Sequence, residues 1–516
     1  MALMAKCWLV EKRRFVTVGQ IRYELILAVL LTPVFALFTR ALKDQHADNL
    51  IIAIFSTDNL SFHYWNTTRF GNLVAILAWP FQNPEVNLKM QILIRIFSAL
   101  FVMFWIARKI AEIFSMSKVL MGFATVSVMF YFLIFYPEAG DSILYGGGAQ
   151  SVGAAVLTIG LGITLSSSDK KQILNSRLNQ YAIAYMLWLF VGFLSVLWLV
   201  RAPAFIMLEL LSRDSTQKHV SKDAKTRFLV GHSLALISAF LTLSFIYSRG
   251  DENTTINLYG LRYYITHTWY IIDFFIVAVI MVGFIVLLGR STKAAVIAVA
   301  VWWIELTTIF MVAVDHVRQN LLDPRYFSMG HLIALSIAFP TLFAVFLKGK
   351  RMNMTLLRIK NQARIRTFML AAYILSLVGY FGTPVGFGLN TKDQSGFNRT
   401  AKVLEFGVYR KYAEPSEIEF ITGSFWDVWP TVYQWRNSGQ DVLGFVPPGT
   451  KQAKFSRLLD GQEHNGICLL ASKETCIQIM RDQTIPSTPI LIDVSDEQFV
   501  QTGEPYSFRY VSLRRP

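Results

Sequence analysis

The segment Leu199-Val-Arg201-Ala-Pro203-Ala-Phe205 lies inside an apolar run from 181 to 212, and the number of helices in that run decides the orientation of everything after it. A bilayer-spanning helix takes about 20 residues, so a 32-residue run is too long for one crossing and short for two. A cation at mid-membrane depth costs about 2.5–3.5 kcal/mol unless it faces a cavity or snorkels. A proline three residues from the helix start removes little, but one inside a helix removes a backbone donor. Together they predict two short helices, 181–197 and 199–212, that meet at Arg201-Ala-Pro203.

Working outward, further apolar spans read at 22–41, 91–108, 119–136, 151–167, 228–247, 268–289, 294–313, 328–347 and 367–384. Basic clusters test the count, because cytoplasmic connections carry an excess of Lys and Arg. Lys12-Arg-Arg14 precedes the first span; Arg108-Lys109, Lys170-Lys171, the 213–227 segment, Arg290 with Lys293, and 348–366 follow alternate spans. All fall on one side with eleven spans, whereas a single helix over 181–212 splits them. The expectation is an α-helical polytopic membrane protein with about eleven transmembrane helices. Residues 1–21 then form a cytoplasmic N-terminus, the first span acts as an uncleaved signal anchor, and 385–516 lies outside, on the periplasmic face of a bacterial inner membrane.

Composition agrees. Hydrophobic residues make up 53% and charged residues 16%, below the roughly 25% of soluble domains, and mean hydropathy is +0.42. The net charge of +15 is dispersed between apolar runs, which excludes a basic nucleic-acid-binding domain.

From about residue 390 the composition becomes that of a soluble domain. Strands read at 418–422, 442–446, 466–471 and 489–493, with helices at 425–437 and 473–482, an alternation that points to a small α/β domain. Cys468 and Cys476 lie in it, and an oxidising compartment would allow them to pair.

The first outer connection, 42–90, is far longer than span joining requires. Its 50–55 and 73–79 stretches read as amphipathic interfacial helices, and between them run Asp58-Asn-Leu-Ser-Phe-His-Tyr-Trp65 and Arg69. Asp58 can be read as a general base for a hydroxyl or as an N-cap for a helix beginning near Leu60. Asp44 and Asp48 share the loop.

A large first outer loop with an acid ahead of an aromatic run, short broken helices mid-chain, about eleven spans and an outer C-terminal domain resemble the GT-C membrane glycosyltransferases. Among these the chain is most similar to bacterial polyprenyl-phosphate-sugar-dependent enzymes, including the O-antigen-modifying glucosyltransferases. The resemblance implies transfer of a sugar from a polyprenyl-phosphate carrier to a glycan hydroxyl at the outer face. It carries the loop acid onto Asp58, with Asp44 as rival because Asn59 interrupts the paired acidic motif of many relatives. The eight histidines are scattered, without an H-x-x-x-H or similar pair beside a carboxylate, so neither a metal nor another cofactor is expected.

The leaving phosphate calls for fixed guanidinium groups. Arg69, Arg201, and Arg325 with Tyr326 in Asp323-Pro-Arg-Tyr-Phe327 are the donor-binding candidates; Arg249 reads more readily as snorkelling to headgroups. His63, Tyr64 and Trp65, with Trp426, Asp427 and Trp429 after the first strand of the outer domain, are candidate sugar contacts. The two tryptophans read equally as docking or core residues. The span acids Glu209, Asp273 and Glu305, with His232, carry the other reading, a transporter or flippase of a lipid-linked glycan; a glycan ligase or polymerase is the second enzyme reading.

Overall fold

The computed structural model describes residues 16–38, 47–58, 72–135, 148–168, 177–194, 197–216, 222–247, 269–289, 291–314, 325–349, 362–383, 385, 418–446, 455–469, 472–483, 491–495, 499–500 and 507–514. These residues are mostly helical, with fifteen α-helices and one small mixed sheet. They divide into two compact units: Met1–Thr39 with Leu93–Val378, and Arg40–Ile92 with Gly379–Pro516.

The first unit holds α1 (Val16–Phe38), most of α4 (Pro84–Phe114), α5 (Lys118–Phe135), α6 (Gly148–Ser168), α7 (Arg177–Leu194), α8 (Leu197–Thr216), α9 (Lys222–Tyr247), α10 (Trp269–Gly289), α11 (Thr292–Val314), α12 (Arg325–Gly349) and most of α13 (Gln362–Gly382). Each of the eleven apolar runs overlaps one of these helices, and six of them (91–108, 151–167, 199–212, 228–247, 294–313 and 328–347) lie wholly inside one. Among the described residues three segments are long and apolar enough to cross a membrane: Pro84–Phe114, Lys225–Phe245 and Met329–Leu347. Helix α9 shows why such segments suit an apolar surrounding. It buries Phe228, Ala235, Ala239 and Leu243 but exposes Leu234, Ile237, Leu241 and Phe245. Helix α12 packs on α10 and α11, α11 on α8, and α7 on α6 and α9.

The break in the 181–212 run lies elsewhere than the sequence suggests. Helix α7 ends at Leu194 and α8 begins at Leu197, then runs without interruption through Arg201 and Pro203. A proline in a buried helix is tolerated where neighbours supply donors to the disturbed turn. Here the Trp303 indole on α11 donates to the Val200 carbonyl at 2.7 Å.

The second unit contains α2 (Ala47–Asp58), α3 (Leu73–Ala78), the start of α4, the end of α13 and the C-terminal residues. Its sheet comprises β1 (Phe420–Thr422), β2 (Leu443–Gly444), β3 (Glu463–Cys468), β4 (Leu491–Val494), β5 (Phe499–Val500) and β6 (Ser507–Arg514), with helices α14 (Phe425–Asn437) and α15 (Lys473–Gln483) in the connections. The order is β2-β1-β3-β6-β4, with β5 on β6. Strand β1 runs parallel to β2 and β3, and β6 antiparallel to β3 and β4. Strand β6 is absent from the sequence reading. It aligns Val511 and Leu513, both buried, opposite Gly466 and His464 of β3. The core gathers Phe420, Leu443, Phe445, Met480, Val494 and Leu513. Cys468 at the end of β3 is joined by a disulfide to Cys476 on α15, inside this core. Gly423, at φ +138°, turns the chain out of β1 against the Leu469 backbone, a conformation that disfavours a side chain.

Candidate functional site

In the second unit the acid singled out in the first loop is held by the C-terminal domain. Asp58 is the last described residue of α2, and a helix beginning near Leu60 that it could cap lies outside the described residues. A carboxylate at a helix C-terminus faces the negative end of the helix dipole, so it is favourable there only beside a cation. That cation is Arg436, on the last turn of α14. Its Nη1 donates to both Asp58 oxygens, at 2.8 and 2.7 Å, and its Nε donates to the Val442 carbonyl at 2.8 Å. The Asp58 and Arg436 side chains are 12% and 6% exposed, so the pair is largely removed from water.

Further contacts bind α14 to the same helices. Phe55 of α2 meets Trp429 edge-on at 5.4 Å, and Trp429 is fully buried. The Asn437 amide donates to Glu85 at 2.8 Å; Glu85 accepts from Lys89 at 2.6 Å, and Lys89 donates to the Phe381 carbonyl at 2.8 Å. Ser56 donates to Asn87, which in turn donates to the Ala78 and Phe81 carbonyls. Burial, with the Glu85 charge and Tyr380 adding to it, pushes the Tyr433 hydroxyl well above its usual range, so it stays protonated.

A separate polar cluster lies within the first unit. Arg201 on α8 is fully buried; its Nη2 donates to Thr308 Oγ1 at 3.0 Å and its guanidinium lies over the Trp198 ring at 5.4 Å. One turn from Thr308 on α11, Glu305 meets His331 Nδ1 of α12 at 2.6 Å. Gly330 makes room for this: a Cβ there would clash with Thr308 Oγ1 and come within 2.6 Å of Arg201 Nη2.

Elsewhere in that unit several buried charges are paired. Arg108 pairs with Glu24 and Glu112, Lys109 with Glu209 at 2.6 Å, and Arg213 with Glu209 at 3.1 Å. Arg108 and Lys109, read from sequence as a topological cluster, are therefore buried ion-pair partners. His232 accepts the Trp188 indole N–H at Nδ1 (3.1 Å), so its Nε2 carries the proton and donates to Thr164 Oγ1 at 3.0 Å. That arrangement requires a neutral ring.

Of the remaining predicted residues, Asp44, His63, Tyr64, Trp65, Arg69 and Arg249 lie outside the described residues, as does any pairing of Asp58 with Arg69. Asp48 and Asp273 lie in α2 and α10, Arg325 and Tyr326 in the first turn of α12, and Trp426 in the first turn of α14. Asp427 is half-buried in that same turn, where its carbonyl accepts from Thr431. Arg436, Trp198, Thr308 and His331 escaped the sequence reading. A basic residue in the last turn of a helix is ordinary, which hid Arg436. A histidine inside an apolar span, by contrast, is a usable signal, and it marks His331.

On β3, His464 Nδ1 meets Glu419 and Nε2 meets Asp460, both at 2.9 Å. Burial alone would lower the imidazole pKa, but the hydrogen bonds and charges of the two carboxylates outweigh it and raise the pKa. The Gln462 backbone N–H and His464 hold the Asp460 carboxyl below its usual range. Comparison with protein-family models and with curated proteins found no match to this chain.

Proposed function

We propose that the chain is a multi-pass membrane glycosyltransferase that moves a sugar from a polyprenyl-phosphate carrier to a hydroxyl of a surface glycan or lipid-linked glycan at the outer face of a bacterial inner membrane. The observation that carries this reading is the Asp58 carboxylate, held at a helix end in the first loop by a cation from the C-terminal domain. A general base must be fixed in direction towards the proton it takes, and the Arg436 pair holds the Asp58 carboxylate in place. The acceptor oxygen bonds to the anomeric carbon, the bond from that carbon to the phosphate oxygen breaks, and the hydroxyl proton passes to Asp58. Arg69 is the proposed phosphate contact, and His63, Tyr64 and Trp65 the sugar contacts.

Eleven crossings with the N-terminus inside are the topology that goes with this reading. The Cys468–Cys476 disulfide supports an oxidising compartment for the C-terminal domain. The test is transfer from labelled polyprenyl-phosphate sugars by purified protein, with Asp58→Asn and Asp44→Asn alongside. Asp58→Asn is expected to abolish transfer; loss in Asp44→Asn alone moves the base to Asp44, and transfer by both variants ends the assignment.

A second reading, transport or flipping of a lipid-linked glycan, is favoured by the Arg201, Glu305 and His331 cluster inside the helical unit, since buried ionisable groups between helices mark ion pathways. It predicts vectorial movement of substrate in vesicles without glycosyl transfer.

A further inference from the structure

Asp58 and Arg436 stand 378 residues apart in the chain, yet they belong to one compact unit. Arg436 has the geometry of an orienting group, not merely a neutralising one. Its Nε is anchored on the Val442 carbonyl next to β2, which fixes the guanidinium, and Nη1 is then shared between the two Asp58 oxygens. The helix that carries it is itself pinned on both sides of the arginine, by Trp429 on Phe55 and by Asn437 on Glu85. A guanidinium held this firmly restricts the carboxylate plane, and each Asp58 oxygen keeps lone-pair capacity beyond the one hydrogen bond.

We propose that Arg436 is the positioning residue for Asp58, so that the C-terminal domain supplies an obligatory part of the transfer site. This rests on the glycosyltransferase reading. Arg436 touches neither sugar nor phosphate; it holds the carboxylate towards the acceptor hydroxyl, whose proton goes to the Asp58 oxygen as the glycosidic bond forms and the polyprenyl phosphate departs. Small misplacements of a reacting group cost on the order of 100-fold in rate, so Arg436→Gln should lower kcat by about that factor and leave the KM for the lipid-linked donor unchanged. Arg436→Lys restores the charge without the Val442 anchor and should recover part of the loss.

The experiment measures kcat and KM of the full-length protein in detergent for wild type, Arg436→Gln, Arg436→Lys and Asn437→Ala, with limited proteolysis of each to score folding. Asn437→Ala loosens the same helix through Glu85, so a purely structural role predicts that it and Arg436→Gln lower activity in parallel with their folded fractions. Positioning predicts a kcat loss in Arg436→Gln far beyond its folded fraction and none beyond it in Asn437→Ala. An Arg436→Gln protein that folds and keeps the wild-type kcat overturns the role of Arg436 alone. Wild-type protein that transfers sugar from no polyprenyl-phosphate donor overturns the reading beneath it. Should Arg436→Gln not fold, the lysine variant decides: reduced kcat with unchanged donor KM supports positioning, and a wild-type kcat overturns it.

Discussion

Two arginines, one in each unit, are almost entirely withdrawn from solvent, and their surroundings differ. Arg436 donates directly to a carboxylate, whereas Arg201 donates to the Thr308 hydroxyl and lies over an indole ring, with the opposite charge of Glu305 one helical turn beyond. The distinction matters because the cost of removing a buried charge depends on what is left behind. Without Arg436 the Asp58 carboxylate stands unpaired at the negative end of α2. Without Arg201 the Thr308 hydroxyl still donates to the Ile304 carbonyl at 2.7 Å, and Glu305 still meets His331.

The largest expected effect follows. Removing one member of a buried ion pair costs about 3–5 kcal/mol, while replacing both with apolar residues is close to neutral. Arg436→Met should therefore destabilise the second unit by roughly that amount, and Asp58→Leu with Arg436→Met should recover most of it. Arg201→Met should cost less than Arg436→Met, because Glu305 keeps its contact with His331 when the cation is removed. Denaturant unfolding of the full-length protein in detergent, followed by proteolysis within each unit, measures both. Equal losses in the two single variants would erase the distinction.

An intermediate effect sharpens it. Gly330→Ala places a methyl group against Thr308 and Arg201, and overpacking of this kind costs about 1–3 kcal/mol. Adding Arg201→Met should relieve only part of the strain, since the clash with Thr308 Oγ1 persists; Thr308→Ala should relieve more. Full relief by Arg201→Met would mean that the guanidinium, not the hydroxyl, fills the space beside the glycine. The same unfolding measurement reads both double variants.

What could be read from sequence follows from the range of each interaction. The described parts of all eleven apolar runs are helical, because a backbone among apolar side chains has few other ways to satisfy its hydrogen bonds. Two helices were also legible in the 181–212 run, but not the point of separation: Pro203 looked like the break, yet α8 passes through it, with the Trp303 indole of another helix donating to a carbonyl of the same turn. Asp58 stood out by its loop and its aromatic neighbours. Arg436 could not, since an ion pair across 378 residues leaves no local pattern in either segment. Strand β6 was missed for a milder reason. Its Val511 and Leu513 alternate over too few positions, between Ser512 and two arginines, to mark a strand by themselves.

The smallest expected effect concerns a third way of holding charge, the exposed carboxylates of Glu419 and Asp460 around the buried His464 ring. Here the cation can be switched off, which neither arginine allows. The His464 pKa is raised above its ordinary 6.5, so its contribution is complete below that pH and is lost as the pH rises through the folded value. The depressed Asp460 carboxyl acts in the opposite direction: its contribution is present above the ordinary 3.8 and is lost as the pH falls through the lower folded value. Stability owed to the cluster should therefore be greatest between these limits and decline towards alkaline pH. The expected amplitude is small, because both carboxylates face solvent. Unfolding of the full-length protein across pH 5–9, with His464→Gln as the comparison, isolates it. The variant should lose the alkaline decline while keeping any other pH dependence, and an undiminished decline in His464→Gln would assign the titration to another group.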